Sequence, residues 1–291
     1  MNKLIIVTLI WAFSFSLIGE FLKGVDSVFL AFLRVFLALI CFLPFMKFRG
    51  VNLALALKIS LIGAVQIGIM YIFYYKSFAY LKVYEVALFT IFTPFYVTLI
   101  YDALKLNFRP LYILSVAVAV FGAFIIKFKG INSDFLIGFL YIQIANFCFG
   151  LGQSAYKFAL ENQGFREQKE LFGYFFVGAS VVTAVALIFL GNPQNFSVTP
   201  FQIGVILWLS VVASAVGYFL WNKGACEVDS GVLAIMNNAL IPAAIIVNLV
   251  FWSHNADLIR LIIGSVVIFA SLILHKKIIN FYAKKSHKSL G

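Results

Sequence analysis

Two stretches of the chain carry polar side chains inside otherwise apolar runs. Trp221, Asn222 and Lys223 interrupt the run from Val212 to Gly224, and Asn237 and Asn238 precede Pro242 in the run from Asp229 to Pro242. A lysine or arginine held at the centre of a membrane helix costs on the order of 2.5–3.5 kcal/mol on insertion scales, so polar groups kept there mark a path for a polar solute. The first half of the chain has its own set. Arg34 is the deepest cation, permanently protonated and able to grip a carboxylate through two parallel hydrogen bonds; a structural pair with Glu20 is the alternative. Lys76 reaches either a solute or, by snorkelling, the outer interface. Glu20 and Glu85 are the acidic side chains at membrane depth and are candidates to carry a coupling proton. Ion pairs of Glu20 with Arg34, or of Glu85 with Lys76 or Lys82, are the competing reading.

Amides and aromatics extend this set. Asn237 and Asn238 are adjacent and point to different faces of one helix, so one can line a cavity while the other ties the helix to a neighbour. Gln66, Gln143, Asn146, Gln153 and Asn248 are further amides at depth; each offers a donor and an acceptor, which suits a urea or amide group on the solute, or simply joins helices. Trp11 beside Ser14 and Ser16, and Trp221 beside Asn222, are candidate walls of an apolar slot, with Tyr71 and Gln66 nearby. Pro94 and Pro242 each free a carbonyl and bend their helix, which makes them candidate gating positions. Nothing in the sequence suggests catalysis or a cofactor. There is no G-x-x-x-x-G-K-[ST] loop and no H-E-x-x-H site, His254, His275 and His287 lie near span ends or in the tail, and Cys41, Cys148 and Cys226 are scattered through apolar runs.

The elements that must position these residues follow from composition. Of 291 residues, 63% are hydrophobic and 11% charged, against roughly 25% charged in soluble chains, which excludes a soluble domain. Apolar stretches of helical spanning length recur over 4–21, 28–46, 56–81, 84–104, 110–127, 135–160, 171–191, 201–225, 229–252 and 257–277. The fold expected is therefore an all-α integral membrane protein of ten transmembrane helices. The charged connection from Glu161 to Glu170 divides them five and five. Tyr74, Tyr75 and Lys76 parallel Trp221, Asn222 and Lys223; Thr93 and Pro94 parallel Ile241 and Pro242, and Thr90 and Thr93 correspond to the amide pair of span nine. An odd number of spans per half makes the two copies inverted repeats, residues 1–130 and 131–278, with a basic tail at 279–291. That is the plan of a secondary transporter with its solute site near the midplane.

The net charge of +11 is explained by topology rather than by nucleic acid. With a cytoplasmic N-terminus, the inside loops and tail collect most of the Lys and Arg, including Lys47, Arg49, Lys105, Arg166, Lys276 and Lys277, while Lys23, Lys82, Lys127, Lys129 and Arg260 fall outside. This positive-inside bias puts both termini in the cytoplasm, and the first apolar run reads as an uncleaved helix in the bilayer.

Several strings are shared with a known family. Trp11 to Ser16 with Gly19 and Glu20, Leu33 to Val35, Phe42 to Phe45, Thr93 and Pro94 with Thr98 to Asp102, Val212 to Ser214, Gly217 to Phe219, Trp221 with Asn222, Gly224 with Ala225, Val228 with Asp229, Ile235 to Asn238, Pro242 with Ala243, and Val247 to Leu249 resemble the EamA family of the drug/metabolite transporter superfamily, over nearly the whole chain. The resemblance extends to members that carry biotin. It implies import of biotin across a bacterial cytoplasmic (inner) membrane by alternating access, with the valerate carboxylate at Arg34 or Lys76, the ureido group at amides and the fused rings against Trp and Tyr. Export or exchange of another small metabolite, such as an amino acid or organic acid, is the alternative that the same fold allows. Two departures stand out: Lys76 occupies a position where the resembled pattern has arginine, which loses the planar fork, and the tail is shorter.

Overall fold

In the computed structural model the apolar runs fold as helices, the geometry that satisfies every backbone N–H and C=O within its own segment where no water can. The structure describes residues 1–106, 133–162, 164–228, 230–252 and 258–288, with isolated positions between 111 and 125. The predicted fifth span thus lies mostly outside the described residues, as do Asp229 and the side chains of Pro242 and Asn248. Among the described residues there is no strand, and the α-helices run in order: α1 Asn2–Phe21, α2 Ser27–Phe42, α3 Leu53–Gly63, α4 Met70–Ser77, α5 Val83–Phe89, α6 Thr93–Leu104, α7 Ser133–Leu160, α8 Phe165–Leu190, α9 Pro200–Trp208, α10 Gly217–Cys226, α11 Ser230–Trp252 and α12 Leu258–Lys288. Among the described residues, eight stretches are long and apolar enough to cross a bilayer, corresponding to the first to fourth, sixth to eighth and tenth predicted spans. The ninth predicted span falls in helix α11, whose apolar stretch Val232–Ile241 is shorter.

Three interruptions shape the centre. α3 and α4 form one rod broken by a π-helix at Ala64–Ile69, and α9 and α10 form another broken by a π-helix at Leu209–Val216. These wider turns, a geometry common at functional sites, begin 145 residues apart (64 and 209). Between α5 and α6 the chain tightens into a 3-10 turn, Thr90–Phe92, with Pro94 in the first turn of α6. The Thr93 N–H bonds to Thr90 O, and the Phe89 carbonyl is taken instead by Asn146 Nδ2 at 2.8 Å.

Packing is reciprocal between the halves. α1 lies against α10 and α11, while α7 lies against α4 and α6; α2 crosses the second π segment, while α8 crosses α3 and the first. At the α3–α8 crossing, Gly63 meets the Phe175 backbone and Gly178 meets the Ser60 backbone so closely that a Cβ on either would collide. Small residues permit such approach, which substitutes for hydrophobic driving force in a bilayer. The outward faces present large apolar side chains such as Leu61, Ile188, Phe189 and Ile259, as lipid contact requires. Asp26 caps α2 through Val28 and Phe29 N–H groups and also accepts the Asn192 N–H at 3.2 Å, tying two loops at one end. At the other end Lys3 pairs with Glu227 at 2.8 Å, and Lys105 and Lys157 both pair with Glu161.

Candidate substrate site

A small cavity of about 80 Å³ lies among α1, α2, α4, the Thr90–Phe92 turn, α6, α7, α10 and α11. Its lining comes from matching positions of the two halves. Trp11 and Phe15 of α1 are matched by Ala145 and Phe149 of α7, 134 residues on in each case; Tyr71 is matched by Tyr218, Thr90 by Asn237 and Thr93 by Leu240, 147 residues on in each case. Arg34 of α2 also lines it.

Aromatic rings form one wall. The Trp11 indole N–H donates to Ala213 O at 2.8 Å, and its ring sits 4.9 Å from Trp221, 5.0 Å from Tyr218 and 5.7 Å from Phe149, centre to centre. Gly217 makes room for it, since a Cβ there would stand 2.9 Å from the indole nitrogen.

Arg34 supplies the charge. It is 3% exposed, its Nε donates to Ser214 Oγ at 2.7 Å, one terminal nitrogen donates to Tyr75 Oη at 3.2 Å, and its carbon lies 4.6 Å over the Tyr71 ring. Tyr71 Oη in turn shares a 3.0 Å hydrogen bond with Ser214 Oγ. These partners are all neutral; no carboxylate among the described residues lies within 4 Å of the guanidinium. Of its five N–H donors, three are left for something that enters the cavity. The ring face of Tyr71 and the hydroxyls of Ser214 and Tyr75 hold the fork in place without cancelling its charge.

The other predicted residues fall in three places. Asn237 lines the cavity, yet its amide is engaged with Gln153 and with Leu233 O. Trp221 is fully buried behind Trp11 and donates to Gln153 Oε1 at 3.0 Å; Gln66, in the π segment, is fully buried and donates to Asn222 Oδ1 at 3.1 Å. Asn238 is 2% exposed and its amide has no hydrogen-bond partner among the described residues. Lys76 lines a second cavity with Lys23. Glu20 is half-buried near the end of α1, and Glu85 sits in the first turn of α5, where its carboxylate accepts the Lys82 N–H at 2.9 Å. Pro94 begins α6 after the 3-10 turn.

Residues that sequence reasoning did not single out as contacts also line the cavity: Tyr74, Tyr218, Met70, Ala145, Phe149 and Leu240. Tyr218 had a signal, its 147-residue separation from Tyr71. Asn146 stood among several amides that spacing alone did not rank.

Residues 3–128 match the EamA-like transporter family. A probable biotin transporter of Pseudomonas aeruginosa is 46% identical over 94% of this chain and 96% of its own length. The chain belongs to the EamA-like transporter family. Biotin transporters of Salmonella typhimurium and Escherichia coli K12 are 44% and 43% identical, each over 95% of this chain and 93% of their own. A crystal structure only 14% identical superposes with a TM-score of 0.68 over 94% of this chain and 95% of its own, which shows a shared fold alone. This EamA-family chain is thus a multi-pass, all-helical membrane protein whose central cavity presents an unneutralised guanidinium beside aromatic rings.

Proposed function

We propose that this chain is a secondary transporter, not an enzyme, that imports biotin across the bacterial cytoplasmic membrane by alternating access. The carrying observation is Arg34: a buried cation, ringed by neutral groups, that faces the central cavity. A carboxylate entering there recovers charge-assisted hydrogen bonds that no protein group supplies. The fused rings of biotin suit the Trp11, Phe149 and Tyr218 wall, and its ureido group suits the cavity-facing amide and hydroxyls of Asn146, Thr90 and Thr93. Relatives named as biotin transporters, 43–46% identical over most of the chain, favour this solute over other carboxylates.

The architecture behind this reading is ten spans in two inverted five-helix repeats, 1–130 and 131–278, followed by a cytoplasmic basic tail at 279–291. The π segments at matching positions, the reciprocal packing and the paired cavity lining support it. Both termini then lie in the cytoplasm. Labelled biotin uptake by cells lacking their own biotin synthesis and transport, with and without this gene, tests the function, and competition with amino acids and organic acids tests the solute. Reporter fusions at the C-terminus and in the loop near Asn192 should read opposite sides; a shared side would remove the inverted-repeat topology.

A further inference from the structure

A second cavity, of about 310 Å³, adjoins the loops that follow α1 and α4. It continues the first along the same four helices. On α1 the central cavity takes Trp11, Ser14 and Phe15 and the second takes Ile18 and Leu22; on α2 Arg34 gives way to Leu30 and Ser27. On α4, Met70, Tyr71 and Tyr74 are followed by Tyr75 and Lys76, and on α7 Asn146 and Ala145 are preceded by Tyr141. Each helix therefore passes from one cavity to the other within about one turn, 5.4 Å of rise.

Two features distinguish this outer chamber. Lys23 and Lys76 both line it, and neither has a carboxylate within 4 Å among the described residues. Tyr75 lines it as well, while the Tyr75 hydroxyl accepts a hydrogen bond from Arg34. Tyr75 thus stands between the two cations of the chamber and the one cation of the central site.

We propose that this chamber is a first binding station for the solute's carboxylate, in which Lys23 and Lys76 capture the anion before it passes Tyr75 to Arg34. The inference rests on the reading of the chain as a carrier of a carboxylate. An ammonium is a mobile point charge that binds a carboxylate without demanding one geometry, which suits transient capture. The planar fork of Arg34, braced by Ser214 and Tyr71, suits retention. On arrival the carboxylate can replace the Tyr75 hydroxyl as acceptor of the Arg34 N–H, so that occupying the inner site frees the residue that separates the two chambers. Paired cations in a low-dielectric cleft also concentrate anions, raising encounter rates by about 10-fold or more, an effect that salt weakens.

Two measurements test it. In the first, initial uptake of labelled biotin is followed against ionic strength for wild type and for Lys23→Gln/Lys76→Gln. The expected loss falls on KM, roughly 3- to 30-fold at low salt, and fades as salt rises, while a neutral biotin ester competes equally with both proteins. In the second, Ala79→Cys, on the chamber lining, is labelled by an anionic and by a cationic thiosulfonate reagent, with the unsubstituted chain as background. Neutralising both lysines should lower the anionic-to-cationic rate ratio about tenfold. A KM and salt dependence identical to wild type overturns the capture station even where wild type carries biotin, and so does an unchanged labelling ratio. If wild type carries no biotin, the proposed solute fails, and the labelling ratio alone decides whether the chamber attracts anions.

Discussion

Gln153 and Asn237 exchange hydrogen bonds in both directions: Gln153 Nε2 donates to Asn237 Oδ1 at 3.2 Å, and Asn237 Nδ2 donates to Gln153 Oε1 at 3.1 Å. The same Gln153 oxygen accepts the Trp221 indole N–H, and Trp221 backs Trp11. Asn237 therefore stiffens the aromatic wall by joining α11 to α7 and α10. Replacing it with leucine leaves buried polar atoms unsatisfied, at about 1–3 kcal/mol. Asn237→Leu should lower the melting temperature in detergent and depress uptake. Adding Gln153→Leu should cost less than the sum of the two single changes, as coupled neighbours do. A variant with wild-type melting and only a raised KM would instead mean that the amide touches the solute.

Arg34 should be indispensable. Arg34→Ala is expected to abolish biotin uptake while the protein still reaches the membrane. Arg34→Lys keeps the charge but loses the fork and the bond to Ser214, so its KM should rise about 10- to 150-fold, the equivalent of roughly 1.5–3 kcal/mol for a hydrogen bond to a charged group. A neutral ester should compete equally with wild type and Arg34→Lys. Normal uptake by Arg34→Ala would remove the carboxylate assignment.

Asn146 offers a sharper test of the ureido end. Its Nδ2 is held by the Phe89 carbonyl that the 3-10 turn frees, and no described residue donates to its Oδ1, so the oxygen is available to an incoming N–H. Asn146→Leu should raise KM about 5- to 150-fold. An analogue of biotin whose ureido nitrogens are methylated should lose affinity for wild type and discriminate little between wild type and the variant. Equal discrimination by both proteins would move the ureido contact elsewhere.

What the sequence revealed and what it hid follow from helix geometry. Arg34, Trp11 and Tyr71, which line the cavity, stood out because charge and large amphipathic rings are conspicuous in apolar runs, and the likeness of Tyr74 to Lys76 with Trp221 to Lys223 suggested two related halves. Facing was not. A helical rotation of about 100° per residue separates Tyr75 from Lys76, and the π segment at Ala64–Ile69 breaks the 3.6-residue phase, so Gln66 turns to Asn222 while Tyr71 meets the cavity. Which amide serves packing and which serves solute was equally hidden. Gln153 and Asn146 sit on one helix with similar surroundings in sequence, and only their partners across the bundle, Asn237 and the Phe89 carbonyl, tell them apart.

Glu161 provides a pH-dependent prediction at the opposite end from the outer chamber. Its carboxylate accepts hydrogen bonds from Lys105 and Tyr101 at 3.0 Å each and pairs with Lys157 at 3.2 Å; Lys157, only 5% exposed, also donates to Val228 O at 2.8 Å. Partial burial pushes the Glu161 carboxyl up, but the hydrogen bonds from Lys105, Tyr101 and Lys157 outweigh it and hold the group below its usual range. A carboxyl with a depressed folded-state pKa contributes stability that is fully present above its unfolded value, near 4.3, and is lost as pH falls through the folded value. Glu161→Gln should therefore melt below wild type at pH 7, with the gap closing as pH drops below about 4. Melting curves in detergent between pH 8 and pH 3 measure this directly. A gap that stays constant across that range would assign the loss to packing of the side chain against Tyr101 rather than to its charge.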